Sequence, residues 1–248
     1  MSNVKISVIT VCYNSEKTIE RTLECMLNQS YRNFEYIIID GASKDRTIDI
    51  VHRYEPLFDG KMKVISEPDH GIYDAMNKGI RNSTGELIGI VNSDDYYEPN
   101  ALEVMAKNYK NEKHLVMYGF QRCVSNGEEE KVVIFHHSRL DQQMITHPTC
   151  FVSRAVYEDF GMFNLTYKSS ADYELMLRLY HKTDTIFKPI YAIISNFEAG
   201  GMSGSQIGVR ETAKLRYSYH LISRSRYYSI LLRSRLYDVK QLIFRGQH

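Results

Sequence analysis

Apolar and polar positions follow two different periods along this chain. Up to about residue 100, short apolar runs of strand length alternate with stretches whose apolar residues recur every three or four positions. Residues 4–12 read as a strand, with Ile6 and Val8 alternating against Ile9 and Val11. Ser15 can cap a helix over residues 16–28 that carries Ile19, Leu23, Met26 and Leu27 on one face. Residues 34–39 form a second buried strand, and Asp45 or Thr47 starts a helix reaching about residue 54. A short third strand over 63–66, a helix over 71–81 and a fourth strand over 87–91 follow. Strands separated by helices of about ten residues imply βαβ crossovers and a parallel sheet. After residue 110 the pattern changes. Strands are expected over 115–119, 131–135 and 149–152, a helix over 173–180, and one or two strands over 185–194. The last forty residues or so read as helices broken near Ser223 to Ser225.

The fourth strand stops abruptly at Asn92-Ser93-Asp94-Asp95-Tyr96. Adjacent carboxylates repel and need something positive to stay ionised together. A divalent cation bridging a diphosphate meets that need, since hard cations take carboxylate and phosphate oxygens. The plainer reading is an exposed turn leading to an Asx-capped helix after Pro99. The other strands also end in polar residues, at Tyr13-Asn14, Asp40-Gly41-Ala42-Ser43 and Glu67-Pro68-Asp69. Each of these could cap the next helix, but open α/β sheets bind ligands beyond such strand ends. Neither a G-x-G-x-x-G nor a Walker A sequence is present, so any nucleotide site here uses side chains.

Composition bounds the reading. With 248 residues, 43% of them hydrophobic, the chain suits one α/β domain with an appendage. Cys12, Cys25, Cys123 and Cys150 lie far apart without CxxC pairing and read as reduced thiols rather than a disulfide framework. The first apolar stretch alternates like a strand and not like a signal peptide, and no run of about 18 apolar residues occurs. The expectation is a cytoplasmic protein. The net charge of +1 conceals an asymmetry. From Arg210 onward nine lysines and arginines face only Glu211 and Asp238, a local charge of +7 that leaves −6 on the remainder.

The motifs Ser7-Val8-Ile9-Thr10-Val11-Cys12-Tyr13-Asn14 and Ile38-Ile39-Asp40-Gly41-Ala42-Ser43-Lys44-Asp45 are followed in order by two more. These are Glu67-Pro68-Asp69-His70-Gly71-Ile72-Tyr73-Asp74-Ala75-Met76-Asn77-Lys78-Gly79 and Asn92-Ser93-Asp94-Asp95. Together they resemble the family 2 glycosyltransferases, in particular the bacterial subgroup that builds capsule, exopolysaccharide (colanic-acid type) and lipopolysaccharide chains. The similarity runs from residue 4 to about residue 203. It implies a GT-A-like α/β fold, a mixed and mainly parallel sheet flanked by helices, with a C-terminal helical extension. The implied division is a glycosyltransferase domain over 1–208, with a nucleotide-binding half (1–97) and an acceptor-binding half (98–208), then a basic helical tail over 209–248.

Carried over by the resemblance, Asp40 hydrogen-bonds the nucleotide base. Tyr13 and Asn14 belong to the nucleotide site, and Asp69 and Lys78 lie near base and phosphates. Asp94 contacts ribose or metal, and Asp95, the firmer of the pair, binds Mn²⁺ or Mg²⁺ bridging the diphosphate. The family's D-x-D lacks its first acid here. Ser170-Ala171-Asp172-Tyr173-Glu174-Leu175 matches the family's base segment, with Ala171 in place of an acidic partner. Asp172 is then the general base for the acceptor hydroxyl, against the plainer reading that it caps the following helix. Glu174 is second choice, two residues on and facing elsewhere on a helix. His147-Pro148-Thr149 and Gly200-Gly201-Met202-Ser203 match acceptor-side segments. There His147 touches sugar or phosphate or is structural, and the Gly-Gly pair is a closing loop or a turn. His70, His136 and His137 form no ligand constellation, so zinc is not expected.

The implied activity is inverting transfer of a hexosyl or N-acetylhexosaminyl group from a UDP-, GDP- or dTDP-linked donor. The acceptor would be a lipid-linked oligosaccharide. Processive synthesis is not expected, because Q-x-x-R-W and tryptophan are both absent. The Arg- and Tyr-rich tail suits an anionic membrane surface on the inner face. Nucleic acid is a weaker reading, since an acidic body repels phosphate, and a homodimer element is a third. Two rival functions stand beside transfer. A nucleotidyltransferase would want a glycine-rich basic loop where Tyr13-Asn14-Ser15-Glu16 stands. The other is a non-catalytic nucleotide-sugar or membrane-binding module.

Overall fold

The structure is a computed structural model describing residues 3–125, 128–198 and 205–245. Strands β1 (Ile6–Cys12), β2 (Phe34–Asp40), β3 (Met62–Ser66) and β4 (Leu87–Ile90) alternate with helices α1 (Ile19–Leu27), α2 (Thr47–Tyr54) and α3 (Ile72–Asn82). Then come β5 (Tyr96–Tyr97), α4 (Ala101–Asn108), β6 (Leu115–Ser125), β7 (Glu128–Val133), β8 (Phe151–Ser153), α5 (Arg154–Phe160), α6 (Ala171–Lys182) and β9 (Ile186–Glu198). Helices α7 (Gln206–Ser218) and α8 (Arg224–Arg245) end the described chain. Among the described residues nine strands form one sheet, ordered β3-β2-β1-β4-β8-β6-β9-β5 with β7 added to β6. β1 to β4 pair in parallel, as do β6 and β9, while β8, β7 and β5 join antiparallel.

Every residue of β1 is buried, as a strand covered on both faces requires. Its even positions Ile6, Val8 and Cys12 join a core with Leu23 of α1, Val51 of α2 and Met105 of α4. Its odd positions Ile9 and Val11 join a second core with Met76 and Ile80 of α3, Val156 of α5 and Leu177 of α6. The period-two alternation thus distributes the helices into two layers. At Gly79, helix α3 presses so closely on β1 that an added Cβ would overlap the Ile9 side chain.

Several elements differ from the pattern. Helix α1 begins at Ile19 and not at residue 16, because the Ser15 carbonyl accepts the amides of Thr18 and Ile19 (both 3.0 Å) in a tight turn. The Ser15 hydroxyl caps nothing; it pairs with the Ser93 hydroxyl at 2.8 Å. Strands β6 and β9 run past residues 119 and 194 because their polar positions find partners inside the sheet. Arg122 donates to Asn196 (2.9 Å) and pairs with Glu98. Helix α5 carries no side-chain cap and is seven residues long, which explains its weak signature.

Candidate active site

Register brings the polar strand ends together. Cys12 lies opposite Asp40, and Asp40 opposite Ser66, so the loops after β1, β2 and β3 start side by side. On the other side of β1, strand β4 delivers residues 92–95 to the same edge, joined to the first loop by the Ser15–Ser93 contact. Here β1 is flanked by strands on opposite sides, the switch point where open sheets hold ligands.

Two of these loops are locked by their own side chains. Asp40 is 1% exposed, and its carboxylate accepts the Ser43 amide (3.1 Å) and the Ser66 hydroxyl (2.6 Å). The Asn14 side chain accepts the Lys44 amide and its backbone N–H donates to the Ser43 hydroxyl, both at 2.8 Å. Asn14 and Ala42 both hold left-handed backbone (φ 50° and 59°), a strain sustained by these links. Tyr13 by contrast is 58% exposed. A Cβ on Gly41 would overlap Asp69 Oδ2 and lie 3.4 Å from the Tyr13 ring, so Tyr13, Gly41 and Asp69 share one wall. Lys78 is not aimed outward. Its ammonium donates to the Pro68 carbonyl (2.7 Å) and pairs with Glu67 (2.9 Å), clamping the loop that presents Asp69.

The aspartate pair divides sharply. Asp94 is half-exposed, and no hydrogen bond from the described residues engages its carboxylate; Arg21 donates to its backbone carbonyl at 2.9 Å. Asp95 is 0% exposed, which sets aside an exposed turn. Its Oδ1 accepts the Glu198 amide at 3.4 Å, while Oδ2 and the neighbouring Asn92 Oδ1 are buried without a hydrogen-bond partner among the described residues. Burial, and then the charge of Asp94, push the Asp95 carboxyl well above the usual range; the Glu198 amide, Arg21 and the Asn92 side chain pull the other way. A buried oxygen without a partner is costly. Asp94, Asp95 Oδ2 and Asn92 Oδ1 are hard oxygen donors, the set that Mg²⁺ or Mn²⁺ takes. No group of three or more His, Cys, Asp or Glu residues is arranged for an ion among the described residues. An ion held here would need its remaining ligands from phosphate and water.

Asp172 is the second residue of α6. The helix is capped by Ser170 with no side-chain bond, so the plainer expectation of an aspartate cap is not met. Instead Asp172 Oδ1 accepts the Tyr73 hydroxyl at 2.9 Å. Tyr73 stands in the first turn of α3, just after the loop that bears Asp69, which ties the base candidate to the same edge. Burial, then the Asp172 charge, drive the Tyr73 hydroxyl far above its ordinary value, so it remains a donor. His147 lies edge-on to Phe163 at 5.8 Å; burial lowers its imidazole and Asp172 opposes that. Glu174 is taken up by Arg178 at 3.0 Å. The Gly200-Gly201-Met202-Ser203 segment falls outside the described residues.

The sequence had singled out neither Tyr73 nor Arg21. Tyr73 occupies the buried stripe of α3 with Met76 and Ile80, so its spacing signals core alone, and its hydroxyl partner lies 99 residues away. Arg21 joins three parts of the site: it pairs with Glu198 (2.9 Å), holds the Asp94 carbonyl and lies 4.5 Å over the Tyr96 ring.

Comparison with known proteins follows the same lines. Residues 7–172 match the family described as glycosyl transferase family 2. A PGL/p-HBAD biosynthesis glycosyltransferase of Mycobacterium tuberculosis is 25% identical over 224 residues, spanning 89% of this chain and 88% of the relative. Staphylococcus aureus TarS 1–349, solved with UDP-GlcNAc, superposes with a TM-score of 0.71 at 21% identity over 92% of this chain and 70% of that one. The chain spans 42% of a longer TarS structure. A Pyrobaculum calidifontis mannosyltransferase solved with GDP-Man and Mn²⁺ gives 0.62 at 17% identity, covering 94% and 69%. At these identities the structural likeness establishes the GT-A fold and no more.

Proposed function

The chain belongs to glycosyl transferase family 2, and on that premise we propose that it moves a hexosyl or N-acetylhexosaminyl group from a nucleotide-diphosphate sugar to an acceptor hydroxyl. Transfer is inverting and adds one residue at a time to a lipid-linked oligosaccharide in cell-surface polysaccharide assembly. The observation that carries this reading is the half-exposed Asp94 beside the buried, partnerless Asp95 Oδ2, at an edge that also holds a positioned carboxylate, Asp172.

Tyr13 offers its exposed ring to the base, and Asp69 a carboxylate oxygen to base or ribose. Asp40 and Asn14 act chiefly by fixing the two loops, with Asp40 able to accept a base N–H only through a remaining lone pair. Lys78 sets the position of Asp69. Asp94 and Asp95, with Asn92, are the residues that would hold a divalent cation, and burial gives Asp94 the outer contact. Such an ion, when bound, offsets charge on the departing diphosphate. Asp172 takes the acceptor proton as the acceptor oxygen bonds the anomeric carbon and the bond from that carbon to the phosphate oxygen breaks. The two events occur on opposite faces of the sugar, which inverts the centre. TarS solved with UDP-GlcNAc, and the mannosyltransferase solved with GDP-Man and Mn²⁺, support a nucleotide-sugar donor and a metal.

No helix among the described residues is long and apolar enough to cross a membrane. We place the enzyme at the inner face of the membrane through its basic tail. The test is transfer from UDP-, GDP- and dTDP-sugars with Mn²⁺ by wild type and Asp172→Asn. The variant should bind donor normally and lose transfer; full transfer would overturn the assignment. Pyrophosphate release from a sugar phosphate and a nucleoside triphosphate would favour a nucleotidyltransferase instead.

A further inference from the structure

The two C-terminal helices pack on each other through one face of α8 only. Arg210 of α7 donates to the Ser234 hydroxyl (3.0 Å) and pairs with Asp238, Ser234 donates to Gln206 (2.8 Å), and Tyr217 stacks on Tyr227 at 4.8 Å. The opposite face of α8 carries Tyr228, Leu232, Leu236 and Val239, each between 52% and 60% exposed. Their spacing of four, four and three residues sets them in one stripe along the helix. Arg224 and Arg235 flank the stripe on one side, Arg226 and Arg233 on the other, all exposed. None of these four arginines makes an ion pair among the described residues. The only acid of the helix, Asp238, is already paired with Arg210 on the inner side.

We propose that this outward face of α8 docks on an anionic lipid bilayer, with Tyr228, Leu232, Leu236 and Val239 entering the headgroup boundary and the flanking arginines meeting lipid phosphates. Charge selects the occupant. A second copy of the chain would bring the same unpaired arginines against these, and an isologous contact has no acid to answer them. Nucleic acid would answer the arginines but leave the Leu-Leu-Val stripe against phosphate and water. A bilayer answers both, because arginine extends its stem along apolar surface while its head stays at the interface.

The inference deepens the lipid-linked acceptor reading and rests on it for its purpose, since it would bring the enzyme to where that acceptor resides. The connection to the site is short. Glu211 of α7 accepts the amides of Lys168 and Ser169 (both 2.8 Å), and Thr212 meets the Ser170 hydroxyl at 3.2 Å, two residues before Asp172. Helix α7, on which the lipid-facing α8 packs, is therefore fastened to the turn from which the base emerges.

The experiment is co-sedimentation of the full chain with phosphatidylcholine vesicles, with and without phosphatidylglycerol. Binding should be about tenfold or more tighter to the anionic vesicles and should weaken as salt rises. Charge reversal at Arg226, Arg233 and Arg235 should abolish it, as should Leu232→Ser combined with Leu236→Ser. Both variants should keep the wild-type melting temperature and UDP binding in Mn²⁺. Equal binding to neutral and anionic vesicles, or binding that survives both variants, would overturn the proposal. So would a dimer in light scattering that the leucine variant dissolves while vesicles are ignored. Vesicle binding in a protein that binds no nucleotide would sustain the lipid face and sink the transferase reading, so the two failures are distinguishable.

Discussion

Replacing Tyr73 with phenylalanine removes one oxygen atom and leaves the ring packed against Phe163, 5.5 Å between centroids. What disappears is the donor to Asp172 Oδ1 at 2.9 Å. A hydrogen bond to a charged group contributes about 1.5–3 kcal/mol when nothing replaces it. Asp172 is half-exposed, so water can take the vacated place, and the lower end applies. A loss of about 1.4 kcal/mol is tenfold in rate. The nearby His147 does not compensate, because burial favours its neutral form. Tyr73→Phe should therefore lower kcat about tenfold and leave the KM for donor and the nucleotide affinity unchanged. Initial rates of nucleotide release from UDP-, GDP- and dTDP-sugars with Mn²⁺, together with calorimetry, read these. A fall in rate matched by a fall in Tm and in nucleotide affinity would make Tyr73 a packing residue. An unchanged rate would remove the Tyr73–Asp172 pair from the chemistry.

Three further outcomes follow from other parts of the molecule. On the proposed reading, Asp94→Asn should weaken Mn²⁺-dependent binding of the donor nucleotide, be it UDP, GDP or dTDP, about 10- to 100-fold by calorimetry with the fold intact; unaltered affinity would take Asp94 out of the metal contact. Glu35 is pushed up by burial but brought down to about 2 by Lys5, Ser7 and Thr84, from an ordinary 4.5. A carboxyl held low contributes stability above its ordinary value and loses it as pH falls from about 4.5 towards 2. Glu35→Gln should cost about 1–2 kcal/mol near neutral pH after screening, and much less near pH 2, by urea unfolding. Gly79→Ala should cost about 1–3 kcal/mol through its overlap with Ile9, seen as a lower Tm; a wild-type Tm would mean that α3 shifts freely on β1.

What was legible in the chain was whatever depends on local period. The four parallel strands, their helices and their polar ends follow from alternation and from where apolar runs stop. Register alone then carried those ends to one edge, because βαβ connections leave little freedom in how parallel strands neighbour each other. Pairings across the chain were hidden. Ser15 reads as a cap until Ser93, 78 residues later, pairs with its hydroxyl, and Tyr73 reads as core until Asp172 accepts its hydrogen bond. Asp94 and Asp95 show the limit most clearly. They lie in the turn between β4 and β5, closed by the Asp95 amide on the Asn92 carbonyl at 3.1 Å, and nothing local in the motif says which of the two side chains that turn buries. Here Asp95 turned inward, where the Glu198 amide meets it, while Arg21 bridges the Asp94 carbonyl and the Glu198 carboxylate at the end of β9. On the proposed reading, a cation held by Asp94 and the free oxygen of Asp95 would reinforce an existing link between the ends of β1 to β4 and the end of β9 at Glu198.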